Sequence, residues 1–175
     1  MSTQDIDNHM TQYLGEPTVV DAVGPVNIWR HDRPEFVSFA THGLTDAPIT
    51  AIYPQELVCS VQHDQDGAAA FLIQTMTQMI LDGARGLVDE QIIAGEQPIL
   101  EATAITGIIA TSHPYLDDEF NIVFDQDQQV QAELLTLIPL TAPEIDRANR
   151  DGVDALFEHL ETTDHDLLDV TRSTS

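Results

Sequence analysis

Seven histidines, one cysteine and thirty acids are the side chains of this 175-residue chain that could do chemistry. The histidines, His9, His31, His42, His63, His113, His159 and His165, never stand as His-x-x-x-His or beside cysteine, the spacings that aim two ligands at one metal. The nearest approach is His63-Asp64-Gln65-Asp66. It precedes a helical pattern, so Asp64 and Asp66 are expected to cap that helix and favour its positive end. Asp125-x-Asp127 lacks the glycine and closing glutamate of a calcium loop, and Asp117-Asp118-Glu119 reads as a solvated turn. No metal or cofactor is expected. The chain has no Gly-x-Ser-x-Gly, phosphate loop or dinucleotide fingerprint, and without lysine it has no Schiff-base chemistry. Carboxylate pairs are too abundant for any one to mark a glycosidase-like site. A His-Asp or Cys-His site assembled only in space stays open; otherwise the residues point to a protein that is not an enzyme.

Charge carries more information. Thirty acids against six arginines give a formal charge of -24. Such a surface repels phosphate backbones and anionic lipid, which argues against nucleic-acid or membrane partners and in favour of a basic protein partner drawn in by long-range steering. The charge fits equally a source whose proteins are acidic and lysine-poor in general, as in halophiles. Nine acids fall between positions 144 and 169, opposed only by Arg147 and Arg150. The start, Met1-Ser2-Thr3-Gln4-Asp5, is acidic and unlike a signal peptide, and no run approaches the roughly 18 apolar residues of a membrane span. A cytoplasmic location is expected. Cys59 lies in the apolar run Leu57-Val58-Cys59-Ser60-Val61 and reads as a packing thiol rather than a reactive one.

The elements that would position these residues are legible in part. Ile6, Met10, Tyr13 and Leu14 share one face of a short first helix that Gly15 stops. Val19-Val20 leads on to Val26 to His31, which alternates as a strand and is joined by a short turn to Phe36 to Thr41, hence antiparallel, and Glu56 to Gln62 makes a fourth extended segment. From Asp66 to Ala84 the residues Ala68, Phe71, Leu72, Thr75, Met76, Met79 and Ile80 recur with helical period, leaving Gln74, Thr77, Gln78 and Asp82 outward. Extended segments follow at about 87–94, 100–111 and 120–124, then a loop at 125–128. The last strand runs to Leu140 and turns at once into a helix, with Thr141 as N-cap, Pro143 in the first turn and Glu144 completing a capping box. Asp151-Gly152 punctuates that helix, and Val153, Leu156, Phe157 and Leu160 resume it. The order gives one α+β domain over residues 1–175: a mixed, mostly antiparallel sheet packed by a long central helix, with helices at both ends.

Two blocks carry a family resemblance. One is the C-terminal order Ile138-Pro139-Leu140-Thr141, Glu144, Asp151-Gly152-Val153 and Leu167 through Arg172-Ser173; the other is Thr41-His42-Gly43-Leu44-Thr45-Asp46 with Pro48. Together with Leu14-Gly15-Glu16-Pro17 and Glu56-Leu57-Val58, this order resembles the suppressor-of-fused-like domain family over nearly the whole chain. The resemblance makes Gly43, Thr45, Asp46, Pro139, Thr141, Glu144, Gly152 and Arg172 structural motif positions. Gly43 is expected to adopt backbone angles closed to other residues, with Thr45 and Asp46 offering oxygens to free amides. Many members carry a Gly-His-Thr-like signature after the central helix, where this chain has Val88-Asp89-Glu90-Gln91-Ile92-Ile93. What the resemblance implies is a non-catalytic module. Bacterial single-domain members look like immunity proteins that neutralise toxins; a general scaffold is the alternative. Acids in loops between strands, Asp117, Asp118, Glu119, Asp125 and Asp127, are the expected partner contacts.

Overall fold

The structure is a computed structural model that describes residues 3–172; Met1 and Ser2 of the acidic start and Ser173 of the C-terminal block lie outside the described residues. Helix α1 (Thr3–Leu14) ends at Gly15, whose φ of 99° closes the helix in the left-handed region. Four strands follow as an antiparallel meander: β1 (Pro17–Val23), β2 (Val26–Asp32), β3 (Val37–His42) and β4 (Gln55–Val61). Helix α2 (Asp66–Gly83) crosses over to β5 (Gln91–Ala94), β6 (Ile105–Thr111), β7 (Ile122–Phe124) and β8 (Val130–Thr141). Helices α3 (Ala142–Asp151) and α4 (Val153–Thr162) finish the chain. The sheet order is β1-β2-β3-β4-β8-β6-β5, with β7 also paired to β8. Every pair of strands is antiparallel except β4 and β8, which run parallel from Gln55↔Glu133 to Val58↔Thr136. The expected α+β class, with its mostly antiparallel sheet, central helix and terminal helices, is what the chain adopts.

Alternation along the central strands sends successive residues to opposite faces. Leu57, Cys59, Leu135 and Leu137 pack with α2 through Leu72, Ile73, Met76 and Ile80. Val58 and Leu134 pack instead with α1 through Ile6, Met10 and Leu14. Ile138 and Leu140 meet α3 and α4 through Ile145, Leu156 and Leu160. Helix α2 therefore covers one face, and α1, α3 and α4 cover the other. The Cys59 thiol is fully buried, and that burial pushes its pKa up to about 12, as a packing role requires.

Several expectations need correction. Helix α2 is rotated from the expected face: Ala69, Ile73 and Thr77 are buried, while Phe71 and Met79 are 48% and 40% exposed. Thr77 can enter the core because its hydroxyl donates to the Ile73 carbonyl at 2.6 Å, so no polar group is left unpaired. Neither Asp64 nor Asp66 caps this helix. A short 3-10 turn over His63–Gln65 puts Gln65 at the N-cap position, and Asp66 turns to Arg30 at 2.7 Å. The extended segments after α2 are shorter than expected, since residues 87–90 and 100–104 form turns and connections.

Candidate protein interface and the anchors of its loops

The Gly43 turn is built around a buried carboxylate. Glu56, 1% exposed on β4, accepts from the Thr41 hydroxyl at 2.7 Å and from the amides of Gly43, Leu44 and Thr45 at 3.1, 3.0 and 3.3 Å. The Thr45 hydroxyl adds a fifth bond at 3.1 Å. Gly43 holds φ 103°, the left-handed region that glycine tolerates, which swings three successive amides toward one acceptor. The expected roles are thus partly reversed: Glu56 supplies the oxygens, Thr45 donates, and Asp46 is exposed at the end of the turn. Burial raises the Glu56 carboxyl to about 7 in spite of its five donors. The sequence held one signal for this anchor, an acid inside an otherwise buried apolar strand.

A second buried carboxylate ties the C-terminal motif together. Glu144, at the third position of α3, accepts from the Thr141 amide at 2.8 Å, which makes the carboxylate half of the capping box. The hydroxyl half is weak, because the buried Thr141 Oγ1 has no hydrogen-bond partner of normal geometry. The same carboxylate pairs with Arg172 at 2.7 and 3.2 Å, and Arg172 also donates to the carbonyls of Pro139 and Asp169. Both side chains are almost wholly buried, 4% and 2% exposed. Gly152, with φ 97°, ends α3 and starts α4. Four of the motif positions, Pro139, Thr141, Glu144 and Arg172, thus meet in one clamp that holds the last segment onto β8 and α3.

The five loop acids fall at the two ends of β7. Asp117, Asp118 and Glu119 are exposed where a 3-10 turn enters the strand; Asp127 is exposed in the β7–β8 hairpin. Asp125 is half-buried and has a turn-building role, accepting from the amides of Asp127 and Gln129 at 2.8 and 3.0 Å. Among the described residues none of the five is ion-paired with an arginine. Glu119 and Asp125 come together, with Asp5, along a shallow depression of about 550 Å³ between α1 and β7. Asp117, Asp118 and Asp127 do not line it. Beside the acids, Ile122 and Phe124 stand 37% and 51% exposed. The sequence marks 120–124 as extended, but the outward direction of Ile122 and Phe124 was not legible, because a strand of three residues is too short to show which face is buried.

Most of the histidines bond elements of the fold, His9 for instance reaching the Phe120 carbonyl at 2.9 Å. His31 Nδ1 donates to the Gly15 carbonyl at 2.7 Å, His42 contacts Asp7 at 2.8 Å and stacks on Trp29, and His63 bonds the Arg33 carbonyl. Two histidines meet hydroxyls: His165 Nδ1 lies 2.6 Å from the exposed Thr163 Oγ1, while Ser38, Ser60 and His113 form a buried chain at 2.6 and 2.9 Å. The Tyr115 amide donates to His113 Nδ1 at 3.1 Å, so Nε2 carries the proton and donates to Ser60. Burial lowers this imidazole to about 3. A ring that donates to the serine cannot take its proton, so the pair is not a nucleophile and its base. Among the described residues no three His, Cys, Asp or Glu side chains converge as a metal site, and no helix is long and apolar enough to cross a membrane.

Comparison with known proteins agrees with this arrangement. No curated protein matches the chain. Solved structures share the fold, two of them as follows. One is a putative suppressor-of-fused homolog from Neisseria gonorrhoeae FA 1090, 14% identical, with a TM-score of 0.66 over 98% of this chain and 95% of that one. The other is a chain of the Sufu-Fu complex, 12% identical, with a TM-score of 0.73 over 99% and 91%. The profile of the family described as "Suppressor of fused protein (SUFU)" matches residues 23–173, a span that takes in the Gly43 turn, its Glu56 anchor and the Glu144–Arg172 clamp. The chain belongs to the suppressor-of-fused family.

Proposed function

We propose that this chain is a non-catalytic protein-binding module of the immunity type, which neutralises a basic toxin domain inside the bacterial cell that makes it. The observation that carries the reading is the β7 region: Asp117, Asp118, Glu119 and Asp127 exposed with Asp125 half-buried beside them, none with a cationic partner in the described chain, flanking exposed Ile122 and Phe124. Apolar side chains ringed by uncompensated acids suit a protein whose own surface is basic and partly apolar. Membership of a family with a member solved as the Sufu-Fu complex supports binding of protein rather than of a small substrate. A toxin that handles nucleic acid is basic for that purpose, and an acidic module of charge -24 can cover the same surface while itself avoiding nucleic acid.

The test is to isolate the cognate partner and measure association from low to high salt, for the wild type and for a variant with the five acids made neutral. Association should slow steeply with salt, and the variant should be slower at low salt by about tenfold or more. Equal rates for both proteins remove these acids from the interface. Turnover of a substrate, lost with one side chain, overturns the binding reading. A toxin gene beside this one separates immunity from general scaffolding.

A further inference from the structure

A groove of about 820 Å³ lies on the far side of the loop that follows β6, between that loop and the end of α4. Tyr115 and Phe157 form its aromatic walls, Leu160 and Leu167 its apolar base, and Glu161, Asp164 and Asp166 its rim. The Tyr115 ring is held in place by the Leu167 amide, which donates to its phenol oxygen at 2.9 Å, yet the residue stays 46% exposed. No arginine is ion-paired with any of the three acids among the described residues. Asp166 is partly engaged by Gln62 and the Leu168 amide, which leaves Glu161 and Asp164 with unengaged carboxylates.

The position of these acids is the second observation. Helix α4 ends at Thr162, so Glu161 lies in its last turn and Asp164 and Asp166 lie just beyond. The last carbonyls of the helix are capped, those of Glu158 and His159 by the hydroxyls of Thr162 and Thr163 and those of Leu160 and Glu161 by the amides of His165 and Asp164, so the charge at that end belongs to the acidic side chains. Acids at that end raise the charge density where an isolated helix would favour cations. The basic side chains at the same end are the imidazoles of His159, in the last turn, and His165, which lines the groove. The concave shape, aromatic walls and acidic rim all suit one chemical group, a planar cation lying on a ring face.

We propose that this groove receives an arginine side chain from a loop of a basic partner protein, its guanidinium lying against Tyr115 and reaching Glu161 and Asp164. For its occupant the proposal rests on the protein-binding reading above, and it adds an anchor separate from the five loop acids. Arginine fits better than lysine because a planar guanidinium stacks and bonds carboxylates in a fork, whereas an ammonium is a compact, strongly hydrated charge.

The experiment needs no partner. Arginine amide, lysine amide and glycine amide are titrated into isotope-labelled protein at low salt and followed by NMR. Arginine amide should give saturable shifts confined to Tyr115, Leu167 and the residues around Asp164, and should bind more tightly than lysine amide. The variant Glu161→Gln/Asp164→Asn should bind it at least fivefold more weakly. Asparagine tolerates the positive φ of 55° at position 164, so the fold is kept. The variant with the five β7 acids made neutral should titrate like the wild type. Shifts spread over acids elsewhere, shifts that do not saturate, equal binding of the two cationic amides, or an unchanged Glu161→Gln/Asp164→Asn variant would overturn the proposal. Because the ligand is a single amino acid, failure here leaves the loop-acid reading intact, and failure to find a basic partner leaves this titration interpretable.

Discussion

Replacing Arg172 with methionine should be among the most damaging single changes in the molecule. Its guanidinium makes four hydrogen bonds: two to Glu144, one to the Pro139 carbonyl and one to the Asp169 carbonyl. Arg172→Met leaves the Glu144 carboxylate, 2% exposed, with the Thr141 amide as its remaining partner, and leaves the Pro139 carbonyl without that donor. Removing one partner of a buried ion pair costs about 3 to 5 kcal/mol, because an uncompensated charge stays in a poorly solvating site. For a domain of this size that corresponds to a fall in Tm of roughly 6 to 20 °C. Urea denaturation measures it directly. Glu144→Gln relieves the stranded charge, so in the Glu144→Gln/Arg172→Met double variant the two costs should add to less than their sum by on the order of 2 kcal/mol. A loss below 1 kcal/mol for Arg172→Met, or strict additivity in the double variant, would show that the clamp is solvated and contributes little.

Three further outcomes follow from the same geometry. Thr141→Ala should cost about 0.5 to 1 kcal/mol, the low end for an N-cap, since its hydroxyl faces the Glu144 amide in the capping box without normal hydrogen-bond geometry, whereas Glu144→Ala should cost several times more by removing both cap and clamp; denaturation midpoints compare them. Gly43→Ala should destabilise by about 1 to 3 kcal/mol because φ is 103°, and a midpoint unchanged within error would contradict the strained turn. Glu56 binds its proton more tightly in the folded chain, with a carboxyl at about 7 against an ordinary 4.5. Its contribution is therefore complete below pH 4.5 and is lost as pH rises to about 7, amounting to roughly 3 kcal/mol. His113 acts in the opposite sense, since its depressed pKa gives stability that grows as pH rises from about 3 to 6.5. The Glu56 share is isolated by subtracting the pH profile of Glu56→Gln from that of the wild type, and a difference without slope between pH 4.5 and 7 would refute it.

Where local chemistry decides structure, the sequence was enough. Thr141, Pro143 and Glu144 announce a helix start whatever surrounds them, and Gly43 and Gly152 announce turns because few residues replace glycine at positive φ. Tertiary contacts decide the rest. Helix α2 carries apolar residues over more than one stripe, so its period fits two orientations, and only the sheet beneath selects Ala69, Ile73 and Thr77 over Phe71 and Met79. Strand β4 is buried at every position from Gln55 to Val61, which erases the alternation that would have marked Glu56 as inward. The clamp was visible as separate motif positions. That Arg172 reaches back across 28 residues to Glu144 was not. Loop acids can be named from sequence as exposed, but that Glu119 and Asp125 share a depression with Asp5 depends on where α1 docks.

The parallel seam between β4 and β8 bears on how the chain reaches this structure. Strands β1 to β4 pair each with its sequence neighbour, and β5 to β8 pair among themselves, so each half can assemble through short-range antiparallel contacts. Joining the halves closes a loop from residue 55 to residue 133 for a ladder of four residue pairs. Such a closure loses chain entropy before it gains contacts, which makes it a slow step. During synthesis the first half emerges well before its partner strand, with the edge of β4 open. That edge, apolar and unpaired until residues 133–136 arrive, is the place where association with another nascent copy would compete with folding.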